Sequence, residues 1–458
     1  MTKPFDQMTF DELLRPQGHD CACGMHHDCG LKYLRVGKGV VSLLPQALQA
    51  IGVRRPFLVM DPNTRRAAGE TVERVLREAG IDFQTFVFRQ SERIEPDEAA
   101  VGAITMAYDP ACDVILAVGS GVINDCCKVV AHASHVPSAV VCTAPSMDGY
   151  ASNSSAMLQN RVKVSPNNAC AQAILADTDL MATAPDVMLR AGLGDMLAKY
   201  ISLCEWRISH LVYGDAYCPQ IAQLVRASVR KVATNAPGLL RRDEAAIAAV
   251  AEGLILSGVA MAFAGNSRPA SGLEHYFSHV WEMLALQRGG TCDLHGIQVG
   301  VGVRLTLWLY DKVLMPIQRV DEAHALASVA DFSEQAWRER VERVFGPAAP
   351  ELIALEARVH KNDPQRHRER LSRIIRHWDE IRTAMREELP AREEIDRLMR
   401  ACGMPMTPAD LGISLQDTLD ALVGSRDLRD KYLTSSLLWD LGLLENAEAS
   451  VREMLEDC

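Results

Sequence analysis

The chain contains no unbroken run of about 18 apolar residues, the length a membrane-crossing helix needs, so nothing in it is expected to span a bilayer. Its opening stretch, MTKPFDQMTFDELLRPQG, places acids where an export leader would need an apolar core. Positive charge is also in short supply. Lys and Arg number 48 against 59 Asp and Glu, giving a formal net charge of −11 and a pI near 5.7. That balance argues against nonspecific binding to nucleic acid or anionic lipid. Internal repeats and low-complexity linkers are missing as well. The thirteen cysteines are odd in number and unaccompanied by an export signal, which implies reduced thiols and a cytoplasmic protein. What remains is 458 residues, 48% hydrophobic and 23% charged, enough for two or more domains with real cores.

From about residue 31 short β-rich runs alternate with amphipathic helices. LKYLRV, RPFLVMD, DFQTFVF, CDVILAVG and SAVVCTA read as strands. VVSLLPQALQAIG, TRRAAGETVERVLREAG, EPDEAAVGAITMAYD and INDCCKVVAHAS between them read as helices. Such alternation predicts an α/β domain with a doubly wound parallel sheet. After ILADTDLMATAP the alternation stops, and from about residue 185 the chain is almost wholly helical. The expected organisation is an N-terminal Cys/His-rich arm over 1–30, a dinucleotide-binding α/β domain over 31–184 and a helical domain over 185–458. Ligands of open α/β sheets sit beyond the carboxyl ends of the strands, which places the expected site in a cleft between the two large domains. The charged stretch DPQRHRERLSRIIRHWDEIRTAMREELPAREEIDRLMR is expected to be a solvated helix face.

Three features carry chemistry. The first is GHDCACGMHHDCG, residues 18–30, where Cys21, Cys23, His26, His27 and Cys29 supply the residue types of a small zinc site. C-x-C is tighter than the two-residue gap of ordinary zinc knuckles, so the segment reads either as a zinc or thiol staple or as a metal-free arm with reduced cysteines. The second is VILAVGSGVINDCCK, a strand running through Gly119 and Gly121 into a helix. There the backbone can approach a ligand and the helix N-terminus can offer N–H groups to a phosphate. Asn124 stands where a third glycine would complete G-x-G-x-x-G, so a plain βα turn is the competing reading. Asp61, closing an earlier strand, is placed to accept from a ribose, and CTAPSMDGYASNSS follows the next strand with hydroxyls, an acid and a glycine.

The third feature is Asp195 in AGLGDMLAKY, His275 in SRPASGLEHYFSHVWEM and His295 in TCDLHGIQVGVG. One carboxylate and two imidazoles from different helices would leave an open position on a divalent metal, the pattern of a Lewis-acid site. His275 and His279, four apart, share a helix face. Taken singly, each histidine reads more readily as a satisfied core residue than as a ligand.

Five segments, VGSGVINDCCK, TAPSMDGYAS, GLGDMLAKY, SRPASGLEHYFSH and HGIQVGVG, stand in the order found in sn-glycerol-1-phosphate dehydrogenases. The chain most resembles the bacterial AraM-type branch of the glycerol dehydrogenase and dehydroquinate synthase-like superfamily. The likeness runs from about residue 30 to 310 and resumes in RDLRDKYLTSSLLWDLGLL. It implies a dehydroquinate synthase-like fold, with a Rossmann-like sheet followed by an all-helical metal-binding domain. It also implies a cytoplasmic homodimer using NAD or NADP and one divalent ion, zinc or nickel, on a phosphorylated triose or glycerol.

By the same resemblance, Gly119, Ser120, Gly121, Val122 and Ile123 cradle the pyrophosphate, and Thr143, Ala144, Pro145 and Ser146 line the nicotinamide side. Ser152 contacts the cofactor. Asp148 and His279 hold the substrate, while Asp195, His275 and His295 bind the metal, Asp195 also touching the substrate. Asp148, His279 and Asp195 are the catalytic candidates. Lys199 stands where iron-containing alcohol dehydrogenases carry a further histidine, and Asp195 where the synthase branch carries glutamate; both favour the glycerol-1-phosphate branch. Arg268 and Lys199 are candidate donors to the substrate phosphate. Asp61 favours NAD over NADP, with Arg65 and Arg66 close enough to soften that preference.

The expected reaction is metal-dependent hydride transfer at C2 between dihydroxyacetone phosphate and sn-glycerol 1-phosphate, feeding glycerophospholipid-type synthesis. A dehydroquinate synthase-like lyase or cyclase and a non-catalytic binding protein on the same fold are the alternatives. On this reading the Cys/His cluster is an appendage to the active site rather than its centre.

Overall fold

The computed structural model describes residues 3–89, 93–160 and 162–456, so the outermost residues of the expected terminal segments, 1–2 and 457–458, lie outside the described residues. Six strands form one parallel sheet: β1 (Tyr33–Gly37), β2 (Pro56–Met60), β3 (Gln84–Val87), β4 (Val114–Gly119), β5 (Ser138–Cys142) and β6 (Ala173–Asp177), in the order β1-β6-β5-β4-β2-β3. The alternation in the sequence anticipates five of these strands. The sixth, in AILAD, lies between β1 and β5 and is buried along its whole length.

Because successive side chains in a strand point to opposite faces, Leu58, Met60, Leu116, Val118, Val141 and Leu175 share one side of the sheet. They form a core there with helices α1 (Leu44–Ile51) and α2 (Glu70–Glu78). Helices α3 (Glu98–Ala107) and α4 (Gly121–Ala133) pack on each other, and α4 follows directly from β4. The chain reverses its direction of travel across the sheet between β2 and β4, the switch point at which such sheets bind ligands. Asp61 follows β2 and Gly119 ends β4 at that edge.

The chain divides into two compact units. The first comprises residues up to Met196 together with Cys218–Pro269, and the second comprises Leu197–Tyr217 with everything from Ala270 onward. This differs from a single helical domain over 185–458. Helices α6 (Pro219–Asn235) and α7 (Glu244–Ala264) pack on each other and belong with the sheet, while α5 (Asp186–Tyr213) crosses from one unit into the other. Helix α7 is long and apolar enough to cross a membrane, with a mean hydropathy of 2.0, and 72% of that window is buried in the protein. The sequence reads as a helix here, DEAAIAAVAEGLILSGVAMAFAG, but holds no unbroken apolar run because Glu252, Gly253 and Ser257 interrupt it without lowering its average much.

In the second unit α8 (Leu273–Gln287) and α9 (His295–Leu309) pack against each other, followed by a succession of shorter helices. The charged stretch is a solvated face only in part. Arg370 is buried and grips Asp440 at 2.9 Å, His367 meets the Asp440 carbonyl at 2.9 Å, and Asp396 accepts from Arg304 Nε at 2.6 Å. His367, Arg370 and Asp396 therefore point inward to partners elsewhere in the unit while most of the other charged residues on these helices face solvent, a division that composition alone does not reveal.

Candidate active site

In the first unit, β4 delivers the chain through Gly119 into the N-terminus of α4. A Cβ on Gly119 would lie 2.6 Å from Ile123 Cβ, so only glycine permits the turn to close this tightly. Ser120 is the N-cap and makes no side-chain capping bond. The first N–H groups of a helix have no acceptor within the helix, so those of Gly121, Val122 and Ile123 are available to an anion at the end of the sheet. Ser120 Oγ meets Ser146 Oγ at 2.6 Å, and Thr143 N–H donates to Gly119 O at 3.1 Å. These bonds bring the two expected cofactor segments, 119–123 and 143–146, side by side. A tight, uncapped, glycine-lined turn at the switch point has the shape and donor set a dinucleotide pyrophosphate requires.

Asp61 stands at the end of β2, where its Oδ1 caps a short helix by accepting from Asn63 N–H and Thr64 N–H at 2.8 Å each. Arg66 binds Asn63 Oδ1 at 2.8 Å.

The loop after β5 is organised from below by a residue the sequence reading did not single out. Lys128, fully buried on α4, donates to Gly149 O at 3.0 Å, to Ser152 Oγ at 3.2 Å and to Ser154 O, and lies 3.1 Å from Asp125. Burial pushes the Asp125 carboxyl up, while Lys128 and the N–H of Ala156 pull it down. Ser152 is buried in this cluster and also donates to Gly149 O and Ser154 O. The only trace in the sequence is the i, i+3 spacing of Asp125 and Lys128, which looks like an ordinary helix-surface pair.

Above this cluster lies Asp148. Its N–H donates to Asp195 Oδ2 at 2.9 Å, and its own Oδ2 accepts from Ser257 Oγ on α7 at 2.9 Å. Two glycines bring the helices in close. A Cβ on Gly192 of α5 would stand 1.9 Å from Pro145 O, and one on Gly258 of α7 would stand 2.9 Å from Asp148 O. The motif GLGD thus has a physical reading: Gly192 lets α5 press on the Pro145 carbonyl, and Asp195, one turn later and fully buried, catches the next part of the same loop. Sequence reasoning named Asp148 and Asp195 but neither Gly192, Gly258 nor Ser257.

The second unit gathers the three histidines. The ring centroids of His275 and His295 are 5.2 Å apart, those of His279 and His295 5.5 Å, and those of His275 and His279 6.4 Å. His275 Nδ1 is 2.8 Å from Glu274 Oε1, which fixes the ring. A carboxylate behind a histidine in this way is the usual outer partner of a metal-ligating imidazole. His295 Nδ1 lies 3.0 Å from Ser278 Oγ and 3.3 Å from Glu282 Oε1. His279, Glu282 and His295 present donor atoms within 4.8 Å of one another, so Glu282 joins the cluster as a carboxylate that the sequence reading passed over. Its place one turn beyond His279 was a signal that could have found it.

Behind His275 lies a buried carboxylate pair. Glu205 on α5 accepts from Leu273 N–H at 3.2 Å, Thr434 N–H at 3.0 Å and the Thr434 hydroxyl at 2.5 Å. Glu274 accepts from Gly272 N–H at 2.6 Å. Both reach within 2.8 Å of where a Cβ on Gly272 would sit. Burial, reinforced by the nearby Glu274, pushes the Glu205 carboxyl up to about 7.

The two candidate phosphate donors are placed differently from the solvent-facing charges that helix residues usually are. Lys199 is fully buried and donates to Ala270 O at 3.1 Å, and Arg268 is 9% exposed.

A family model described as iron-containing alcohol dehydrogenase matches residues 35–185. The glycerol-1-phosphate dehydrogenase (NAD(P)+) of Halalkalibacterium halodurans is 31% identical over 417 residues, covering 90% of this chain and 93% of that protein. The protein of the same description from Bacillus licheniformis is 27% identical over 428 residues, covering 93% of each. Among solved structures, a probable glycerol dehydrogenase from Sinorhizobium meliloti superposes with a TM-score of 0.58 at 17% identity, covering 92% of this chain and 98% of that one. At that identity the likeness speaks for the fold.

Proposed function

The chain belongs to the glycerol-1-phosphate dehydrogenase family, and on that premise we propose that it interconverts dihydroxyacetone phosphate and sn-glycerol 1-phosphate by hydride transfer between C2 and NAD(P)H. The observation that carries the reading is the loop held from both ends, with Asp148 fixed by Asp195 and Ser257 and the preceding Thr143–Ser146 segment fixed against the glycine turn.

The N–H groups of residues 121–123 hold the cofactor pyrophosphate, and Thr143, Ala144, Pro145 and Ser146 orient the nicotinamide. Ser152 acts through the loop it anchors with Lys128. Asp61, already polarised by its capping bonds, favours a ribose hydroxyl over a 2′-phosphate and hence NAD; Arg66 is committed to Asn63. Asp195, His275 and His295 are the residues that would hold a divalent metal. A mixed carboxylate and imidazole set suits zinc or nickel. When bound, that ion supplies Lewis acidity toward the substrate C2 oxygen. Asp148, its carboxylate oriented by Ser257, holds the substrate hydroxyls, and the His279 imidazole takes up or returns the proton at the C2 oxygen. The enzyme is read as a cytoplasmic homodimer.

The test is purified protein with dihydroxyacetone phosphate and NADH or NADPH, before and after chelation. Stoichiometric, chelation-sensitive oxidation of the reduced cofactor supports the proposal. A transient redox change without net turnover of NADH would replace it with lyase or cyclase chemistry, and no reaction would overturn it.

A further inference from the structure

The cysteine-rich opening stretch has no part in the proposed reaction, yet the fold completes it in a way the linear sequence does not show. His19–Asp20 and His26–His27 pair as a short antiparallel hairpin. At its tip Cys21 N–H donates to Met25 O at 3.1 Å, and Gly24 N–H donates to Cys21 O at 2.9 Å with Gly24 at φ +85°. This turn sets the Cys21 and Cys23 sulfurs beside His27. A fourth donor comes from 191 residues further along, where Cys218 is the N-cap of α6. All four belong to the first unit. Cys29 and His26 are not part of the group. Cys29 is buried separately, and His26 Nδ1 pairs with Asp20 at 2.8 Å.

Cys21 Sγ is 3.6 Å from Cys218 Sγ, Cys23 Sγ is 3.3 Å from His27 Nε2, and Cys218 Sγ is 3.4 Å from the same nitrogen. The four donor atoms all lie within 4.8 Å of one another. A tetrahedral ion with Zn–S bonds of about 2.3 Å and a Zn–N bond of about 2.05 Å requires donor separations of about 3.8 Å for S···S and about 3.6 Å for S···N. The observed spacings approach that polyhedron, and 3.6 Å is far beyond the roughly 2.05 Å of a disulfide.

His27 is prepared for the same role. Its Nδ1–H donates to Phe263 O at 2.8 Å, which fixes the tautomer with the Nε2 lone pair turned toward the sulfurs. Phe5 and Phe263 pack on the His27 ring at centroid distances of 5.8 and 5.9 Å, and both His27 and Cys218 are fully buried. Three thiolates and a neutral imidazole around a dication leave one net negative charge, which faces the positive end of the 17-residue helix α6.

We propose that Cys21, Cys23, His27 and Cys218 form a structural zinc site that clasps the N-terminal hairpin to helices α6 and α7. Four protein ligands fill the coordination sphere and leave no position for substrate, so the ion is a clasp and not a second catalytic centre.

Cobalt separates this site from any carboxylate and imidazole site, because only thiolate ligands give an intense charge-transfer absorption in the near ultraviolet. The full-length protein, purified under reducing conditions and stripped of metal, is titrated with Co2+. One equivalent should develop that absorption, and one equivalent of Zn2+ should abolish it. Asp195→Asn should retain the signal, and Cys218→Ser should lose it together with one equivalent of zinc measured in the purified protein. A mercurial thiol reagent should release that zinc into a chromogenic chelator from the wild type. In a folded Cys23→Ser variant the melting temperature should fall while kcat/KM for the metal-loaded enzyme is unchanged. Absence of the thiolate band in the wild-type cobalt protein would overturn the proposal whether or not the variants fold. So would a Cys21–Cys218 disulfide found by non-reducing peptide mapping of the purified protein.

Discussion

Replacing Gly192 by alanine adds one carbon where the fold has no room for it. The new Cβ would lie 1.9 Å from Pro145 O, 2.9 Å from Pro145 C and 3.0 Å from Val250 Cγ1. Ordinary contact begins near 3.4 Å, so helix and loop must part by about 1.5 Å, and the obstacle is backbone that cannot rotate away. The displaced segment is the one expected to line the nicotinamide, and it leads directly to Asp148, whose N–H is held by Asp195 one turn along the same helix. A separation of that size breaks a 2.9 Å bond. Overpacking costs about 1–3 kcal/mol, and alanine's better helix propensity returns about 1 kcal/mol, leaving a net loss of about 0–2 kcal/mol. Catalysis should suffer more, since a misplacement of about 1 Å at a positioned site costs about 100-fold. The assay is kcat/KM for dihydroxyacetone phosphate with NADH, read beside the denaturation midpoint. Gly102→Ala is the control: it lies on α3 of the same unit, meets nothing within 4 Å, and should be neutral or slightly stabilising. If Gly192→Ala matched the wild type in both rate and midpoint, the close approach of helix and loop would be refuted.

Lys128→Met removes a buried amine that holds four loop oxygens and leaves Asp125 without its counter-charge; a loss of about 3–5 kcal/mol in denaturant unfolding is expected, with activity lost alongside. Ser257→Ala takes one hydrogen bond from the Asp148 carboxylate and should lower kcat/KM by about tenfold, with the unfolding midpoint little moved, whereas an unchanged kcat/KM would show that Asp148 needs no such support. The Glu205 carboxyl, pushed up from its ordinary 4.5 to about 7, binds its proton more tightly in the folded than in the unfolded chain. Its contribution to stability is therefore complete below about pH 4.5 and is lost as pH rises through about 7. Glu205→Gln keeps the acceptor for Thr434 and turns an N–H toward Glu274, so it should raise unfolding stability by about 1 kcal/mol at pH 8 and by nothing measurable at pH 5.

The strand–helix alternation was readable because buried parallel strands leave short, uninterrupted β-rich runs, as in RPFLVMD and SAVVCTA. AILAD escaped because it passes without a break into the residues that cap the next short helix. Gly119, Asp148, Asp195, His275, His279 and His295 were legible as chemistry-bearing types in recognisable company. Lys128 and Glu205 were not, since a charged residue on a helix declares its burial only when the opposing element is known. Cys218 illustrates the limit most plainly: the local motif offered five ligands, and the fold uses three of them with a fourth that lies beyond the whole sheet. Nor does a sequence reveal that Gly192 and Gly258 stand where two helices run against backbone, because glycine in a helix looks the same whether it is crowded or idle.

The bond from Glu205 to Thr434 spans 229 positions, and Arg370 likewise waits for Asp440. At a translation rate of about 5–20 residues per second, Glu205 leaves the ribosome roughly 10–50 s before its partner exists. For the first 68 residues of that interval its carboxylate has water for a donor, and after them the Leu273 N–H as well, so it stays short of its full set of bonds until Thr434 arrives. A pause in synthesis before Thr434 would therefore hold Glu205 without the two bonds that Thr434 supplies, its charge still in need of water.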